Sequence, residues 1–303
     1  LARLVESAHN GCRIVGYVPA EDLSPAADAG AHPPRPLAET CRRLGADVVV
    51  MADNLPPEAD GLLGQAILCL QRGIQVTGVA SFVEESFRKV PVELIGPDWL
   101  VRANLHLDRP YLFALKRGCD LCAAALGLAL TLPFWPLFAL LVTLTSRGPA
   151  FYRQTRVGRF GRPFTICKFR TMRLDAESDG RARWAETNDP RVTSVGRIFR
   201  KTRVDELPQL WNILRGDMSF VGPRPERPEF VEHLSSRVPC YSWRHLARPG
   251  LTGWAQIAFR YGASMEDARE KHRYDLYYVK HVNFSLDLYI FLRTIASIVQ
   301  GSR

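Results

Sequence analysis

Two adjacent carboxylates, Asp205 and Glu206, stand in Arg200-Lys-Thr-Arg-Val-Asp-Glu-Leu-Pro208, with Arg200, Lys201 and Arg203 just ahead of them. Neighbouring carboxylates can divide labour at a phosphorus centre, one attacking while the other holds a metal or relays a proton. The same pair also reads as a helix start, with Asp205 as cap and Glu206 in the favourable first turn. That reading has a defect: Pro208 would fall where the cap needs an N–H, and proline has none. Spacing alone leaves both open. Downstream, Pro223 and Pro225 flank Arg224, stiffening the backbone around a guanidinium suited to bidentate phosphate recognition. A rigid turn with a solvated arginine is the alternative. Pro249-Gly-Leu-Thr-Gly-Trp-Ala-Gln256 reads as a Gly/Pro turn leading into Arg260.

These residues need elements to hold them. Residues 151–157 and 163–172 flank Gly158-Arg-Phe-Gly161 and predict a β-hairpin. On its second strand Lys168 and Arg170 are two apart and so share a face. Residues 205–215 predict a helix closed by Gly216, and helices follow over 265–278 and 284–300. The last is apolar and aromatic-rich over most of its surface, as suits a helix in an interface plane.

Ahead of the hairpin, Leu121–Ser146 is an uncharged, mostly apolar run. As a straight helix it would reach roughly 39 Å, enough to cross a hydrocarbon core of about 30 Å. Pro133 and Pro136 near its centre predict a sharp bend at 132–136. Both flanks are basic, with Lys116 and Arg117 before, and Arg147, Arg153 and Arg156 after. Positive charge on both sides gives the positive-inside rule nothing to choose between. A re-entrant hairpin that enters and leaves by the cytoplasmic face meets all three observations. A true span and a buried soluble helix are the alternatives.

Residues 1–97 alternate short helical and strand patterns, with helices at 1–8, 37–44 and 61–71 and strands at 13–18, 47–51 and 74–79. This predicts a parallel α/β sheet. No Gly-rich dinucleotide turn is found there, so nucleotide binding by this part is unsupported. Leu1 lies inside a helical pattern, so a longer parent protein is expected, and residues 1–10 lack the apolar core of a signal peptide.

The net charge of +9 is concentrated. Between Arg147 and Val204 stand 15 Lys/Arg against 5 Asp/Glu, a block suited to an anionic surface or to phosphate-bearing ligands. Nucleic acid is the competing partner, disfavoured by the apolar run and the lack of a nucleic-acid module. Of seven cysteines only Cys119 and Cys122 have paired spacing. Zinc would need two further ligands, so helix packing and reduced cytosolic thiols are expected.

Taken together, the ordered segments Lys116–Asp120, Gly148–Gln154, Val157-Gly158, Lys168–Met172, Asp205–Asn212, Gly216–Ser219, Val221–Pro225 and Pro249–Gln256 resemble the bacterial sugar transferase family, the monotopic phosphoglycosyl transferases. Tyr261–Ser264 and Tyr274–Lys280 look like the exopolysaccharide-type branch, whose N-terminal transmembrane helices precede a Rossmann-like domain. The chain would begin within that domain. The resemblance implies an α/β protein in four parts: a truncated Rossmann-like, CoA-binding-like regulatory domain (1–97), a linker (98–115), a re-entrant membrane hairpin (116–146) and a mostly α-helical catalytic domain with a small β-hairpin (147–303).

It further implies transfer of a sugar 1-phosphate from a UDP-sugar to polyprenyl (undecaprenyl) phosphate, with release of UMP. Mg²⁺ and a covalent phosphosugar-aspartate intermediate are part of that reaction. Carried over by motif, Asp205 is the nucleophile and Glu206 the metal-binding or proton-handling partner, both being metal-ligand candidates. Lys168, Arg170, Arg200 and Arg224 are the phosphate-binding candidates, and Arg260 aligns near a nucleotide-contacting arginine. The expected place is the cytoplasmic face of a bacterial inner membrane, among membrane lipids and without nucleic acid; oligomeric state is left open. Many members carry Ser-Pro at the kink, whereas this chain has Leu132-Pro133, which leaves Thr131, Pro133 or Pro136 to stabilise the bend. A non-catalytic, membrane-anchored assembly or regulatory subunit is the alternative function, suggested by the extra α/β domain.

Overall fold

The computed structural model describes residues 12–18, 36–52, 60–96, 99, 103, 110–177, 189–259 and 264–300. It divides into two units, Leu1–Leu94 and Ile95–Arg303. In the first, helix α1 (Leu37–Leu44) ends on Gly45, whose φ of 63° closes the helix in the left-handed region that glycine tolerates. Strand β1 (Val48–Met51), helix α2 (Asp60–Gln71) and strand β2 (Gln75–Gly78) follow, and β1 pairs in parallel with β2, Val49 opposite Val76. Helix α3 (Val79–Phe87) follows. Leu37, Ala38, Cys41, Leu62, Cys69 and Ile74 form the core of this unit. The expected parallel sheet is thus a single βαβ unit among the described residues. Residues 13–18 carry no strand, since no ladder bond reaches them, and the expected helix at 1–8 lies outside the described residues.

The second unit opens on a long helical segment. Helix α4 (Pro110–Thr131) runs into a 3-10 turn (Leu132–Phe134) and then helix α5 (Trp135–Thr145). Together, 110–145 is long and apolar enough to cross a membrane by length and composition. The helix starts inside the stretch expected as linker, because Pro110 suits a first helical position, where its missing N–H is not needed. The break falls at the two prolines: the carbonyl of Leu132 accepts the N–H of Trp135 instead of the one Pro136 lacks. The Thr131 hydroxyl donates to the carbonyl of Gly127 (2.7 Å), supplying the polar group that Leu132 does not.

Both halves pack on the rest of the unit. Gly127 lets α4 come so close to Leu210 that an added Cβ would lie 3.0 Å from its Cδ1, and Ala124 joins a core of Ile166, Leu210, Ile213 and Met218. Arg117 donates to the carbonyls of Ile213 (2.6 Å) and Leu214 (2.7 Å), and Asp120 accepts the N–H of Phe220 (3.0 Å). On α5, Val142 and Phe138 pack on Phe169 and Phe199. The outer faces expose Leu126, Leu130, Leu132, Phe134, Leu137, Leu140 and Leu144. Cys119 and Cys122 are exposed free thiols, which corrects the expected packing role. The inward stripe runs through Asp120 and Ala124, one turn apart, and leaves both thiols off it.

Strands β3 (Phe151–Val157) and β4 (Pro163–Phe169) form the expected antiparallel hairpin, with Tyr152 opposite Lys168. Helix α6 (Ser194–Thr202) is capped by Thr193, whose Oγ1 accepts the N–H of Gly196 (3.0 Å). Next come helix α7 (Gln209–Arg215), strand β5 (Ser219–Val221), helix α8 (Pro228–Ser235) and strand β6 (Gly250–Thr252), with β5 and β6 parallel. Helices α9 (Trp254–Ala258), α10 (Met265–His281) and α11 (Phe284–Gln300) close the unit.

Helix α6 crosses Thr171 at Gly196, where a Cβ would overlap the Thr171 carbonyl. In an open helix Gly→Ala stabilises by about 0.5–1 kcal/mol. Here Gly196→Ala is expected to destabilise instead, by about 1–3 kcal/mol. Chemical denaturation of the two proteins measures the sign; a stabilised variant would mean that α6 does not rest on Thr171.

Candidate active site

Helix α6 ends on Arg203, a non-glycine residue at φ 59°. That reversal turns the chain into a 3-10 turn, Val204–Glu206, before Pro208 starts α7. The helix expected over 205–215 is therefore shorter, and Asp205 caps nothing. The turn sinks both carboxylates, Asp205 being 6% and Glu206 8% exposed. Asn212 of α7 ties this turn to β4, donating to the carbonyl of Thr165 (2.8 Å) and accepting the N–H of Cys167 (3.3 Å). Lys168 follows directly, half-buried, its ammonium over the Tyr152 ring.

The two carboxylates have different surroundings. Glu206 Oε1 accepts from Arg224 (3.1 Å) and Arg203 (3.3 Å). Burial pushes Glu206 up, but Arg224 and Arg203 outweigh it and hold the group below the usual carboxylate range. Asp205 Oδ1 is buried without a hydrogen-bond partner. Burial and the neighbouring Glu206 push Asp205 up to about 6, against the pull of Lys168, Arg200 and Arg203. Lys168 is lowered to about 8 by burial and by the cations Arg156, Arg224 and Arg200, with Asp205 pulling the other way. At neutral pH the site holds an ionised, poorly solvated carboxylate facing a ring of cations. Such a charge pattern suits chemistry on an anionic, phosphate-bearing ligand.

Arg224 is held from behind. The carbonyl of Arg224 accepts from Arg244 (2.9 Å), and that of Pro225 from Arg156 (3.1 Å). Gly222 passes so close to Arg248 that any Cβ would overlap its carbonyl. Arg244 is itself anchored on buried Asp275 (2.7 and 3.1 Å) and donates to the Tyr241 hydroxyl (2.7 Å). Arg200 donates to Thr171 Oγ1 (2.9 Å).

The structure thus gathers Asp205, Glu206, Lys168, Arg200 and Arg224. Arg170 is not among them: its buried guanidinium donates to the carbonyls of Ser146, Arg147 and Gly148, latching the end of α5. The shared-face argument fails because β4 ends at Phe169, one residue short of it. Arg260 lies outside the described residues. Pro133 and Pro136 sit at the helix break. Sequence reasoning missed Arg156, Arg203, Arg244 and Asp275. Of these, only Asp275 stood in a segment with a family signal. Among the described residues no group of three or more His, Cys, Asp or Glu converges as a ready-made metal site.

The family model of bacterial sugar transferases matches residues 111–301. The chain belongs to the bacterial sugar transferase family. Residues ahead of 111 also find counterparts among relatives. A relative from Komagataeibacter xylinus, named undecaprenyl-phosphate glucose phosphotransferase, is 36% identical over 256 residues, covering 82% of this chain and 48% of its own. The UDP-glucose:undecaprenyl-phosphate glucose-1-phosphate transferase of Caulobacter vibrioides is 46% identical over 214 residues, 69% of this chain and 79% of that one. The UDP-N-acetylgalactosamine-undecaprenyl-phosphate N-acetylgalactosaminephosphotransferase of Aeromonas hydrophila is 44% identical over 195 residues, 64% of this chain. The chain spans only 46% of that relative's length.

Proposed function

We propose that this chain transfers a sugar 1-phosphate from a UDP-sugar to polyprenyl phosphate through a covalent intermediate on Asp205, as the first membrane step of a surface-glycan or exopolysaccharide synthesis. The observation that carries the reading is the buried, unpartnered Asp205 oxygen set among Lys168, Arg200 and Arg203. An Asp205 oxygen attacks the sugar-bearing phosphorus, and the bond to the UMP phosphate breaks, UMP leaving with the electron pair. A phosphate oxygen of the acceptor then attacks the same phosphorus and returns the carboxylate. Lys168, Arg200 and Arg224 neutralise the charge that spreads over the phosphoryl oxygens. Glu206, held ionised by Arg224 and Arg203, orients Arg224 and is a better metal ligand than proton donor. A covalent relay lets a water-soluble donor and a lipid acceptor use one site in turn.

Mg²⁺ fits this pair. The unpartnered Asp205 oxygen beside Glu206 gives it two carboxylates, and Mg²⁺ takes its remaining ligands from water and substrate phosphates. When bound, it would offset the charge of the diphosphate.

The test is product analysis with a donor panel that includes UDP-glucose and UDP-N-acetylgalactosamine. UMP release dependent on polyprenyl phosphate is expected; UDP release would mean ordinary glycosyl transfer instead. Turnover should rise with pH through about 6 as Asp205 ionises and fall through about 8 as Lys168 loses its proton. In Lys168→Met the alkaline limb should vanish; an unchanged profile would remove Lys168 from the site.

For 110–145 the proposal is a re-entrant hairpin on the cytoplasmic face of the inner membrane. It is supported by the proline break, by basic residues on both flanks and by the packing of both halves on one unit. Membrane-impermeant thiol reagents should then fail, from the periplasmic side, to label single cysteines placed at 112 or 147. Labelling at one of these alone would establish a span. The β1–α2–β2 unit supports reading residues 1–97 as part of a Rossmann-like regulatory domain.

A further inference from the structure

The chemistry above leaves the Lys116–Asp120 segment unused, yet Lys116 makes two long-range polar contacts outside the site. Its Nζ donates to Asp287 Oδ2 (2.6 Å) and to the carbonyl of Val221 (3.0 Å). The Tyr278 hydroxyl lies 3.0 Å from that same carbonyl and 2.7 Å from Asp287 Oδ1, able to donate to either. Lys116 and Asp287 side chains are each 14% exposed and Tyr278 is fully buried, so water competes little for these bonds. Four elements therefore meet here: α4, whose apolar outer face continues past the bend, and α10 both reach the Val221 carbonyl of β5, which runs through Gly222 and Pro223 into Arg224, and α11 joins them through Asp287. Helix α11 exposes Phe284, Leu288, Leu292 and Ile295. Their spacing of four, four and three places them on one face. Asp287 is one residue off that stripe and turns inward to Lys116.

Resting on the function proposed above, we propose that Lys116, Asp287 and Tyr278 are positioning residues that fix the height of the Asp205–Arg224 site above the lipid surface. They join the inserted helix, the in-plane helix and the strand that carries Arg224 into one rigid corner. A water-soluble donor reaches the site at any height. The phosphate of a bilayer-embedded acceptor reaches it only at the correct one. The clamp therefore acts on the second half-reaction.

The experiment compares wild type, Lys116→Met and Asp287→Asn in phospholipid vesicles. Without acceptor, UMP burst and protein-bound phosphosugar should stay within about twofold of wild type. Transfer from the trapped adduct to long-chain polyprenyl phosphate in the bilayer should slow at least about tenfold. Transfer to a short-chain, water-soluble prenyl phosphate should remain near wild type. Lys116→Arg, which keeps the charge, should recover part of the loss. Equal losses in both half-reactions, equal losses with both acceptors, or no loss at all would each overturn the proposal. If Lys116→Met does not fold, Asp287→Asn carries the comparison. Wild-type protein that forms no adduct with any donor would strike the functional reading instead. Hydrogen exchange on vesicle-bound protein then decides the clamp alone. Faster exchange at 284–291 in the variants is expected, and unchanged exchange would refute it.

Discussion

Asp205→Asn is expected to abolish turnover and to raise stability in the same protein. In the proposed mechanism Asp205 is the nucleophile, and the neighbouring carboxylate Glu206 is engaged by Arg224 and Arg203, so transfer should fall by at least about 10³-fold. The stability gain follows from proton linkage. Burial and Glu206 raise the folded-state carboxyl to about 6, against 3.8 in the ordinary state. A group raised in this way favours folding fully below its unfolded value, and the contribution is lost as pH rises through the folded value. At pH 7.5 the ionised Asp205 therefore costs the folded protein up to about 3 kcal/mol. Asparagine removes that charge at nearly constant volume. Melting curves of the two proteins should nearly coincide near pH 4, separate between about pH 4 and pH 6, and stay apart above pH 6 in favour of the variant. A variant less stable than wild type at pH 7.5 would show that the cations, not burial, set the energy of this carboxylate. Strain held at a catalytic group is the physical content of that divergence.

The second large effect lies behind the site. Removing one member of the buried Arg244–Asp275 pair strands a charge, and Arg244→Met or Asp275→Leu is expected to destabilise by about 3–5 kcal/mol. The double variant should lose much less, because neither charge is left alone. In Arg244→Met the deficit should be smaller at pH 5 than at pH 8. Burial already raises Asp275 with Arg244 pulling it down, and without Arg244 the carboxyl can relieve its isolation by taking up a proton. Activity in the double variant should still fall, since the carbonyl of Arg224 loses its donor. Thermal denaturation of all four proteins across that pH range, with initial rates, checks both statements. Single variants no less stable than the double would mean that the pair is not coupled in the folded protein.

Periodicity made much of the fold legible. The 151–157 and 163–172 strands around Gly158–Gly161, the Gly216 helix end, and the helices of 265–278 and 284–300 all follow from local pattern, and the structure changes only their ends. The short parallel β5–β6 pair was not legible. Three-residue strands have no period, and what holds them is the close passage of Gly222 by Arg248 and Gly250. The 3-10 turn at 204–206 depends on Arg203 adopting a positive φ, which its residue type does not announce.

For the site, the adjacent carboxylates Asp205 and Glu206 and the proline-flanked Arg224 stood out in the sequence itself, and Lys168 came with the family resemblance. Arg170 shows the limit of that reasoning. Period two tells which face a strand residue takes, but not that the strand has ended and the guanidinium has turned to the carbonyls of 146–148. Arg244 and Asp275 are 31 residues apart, and only the folded chain brings them together beneath Arg224. Nothing in their local sequence pairs them.

The central claim is that Asp205 carries the phosphosugar. It is tested most directly by incubating the protein with a UDP-sugar in the absence of acceptor, quenching in acid, and measuring intact and tryptic masses. The expected result is one phosphosugar per protein on the peptide 204–215, one UMP released with it, loss of the label on adding polyprenyl phosphate, and no label in Asp205→Asn. Donor-dependent turnover without any protein-bound phosphosugar, or a label that persists in Asp205→Asn, would contradict it.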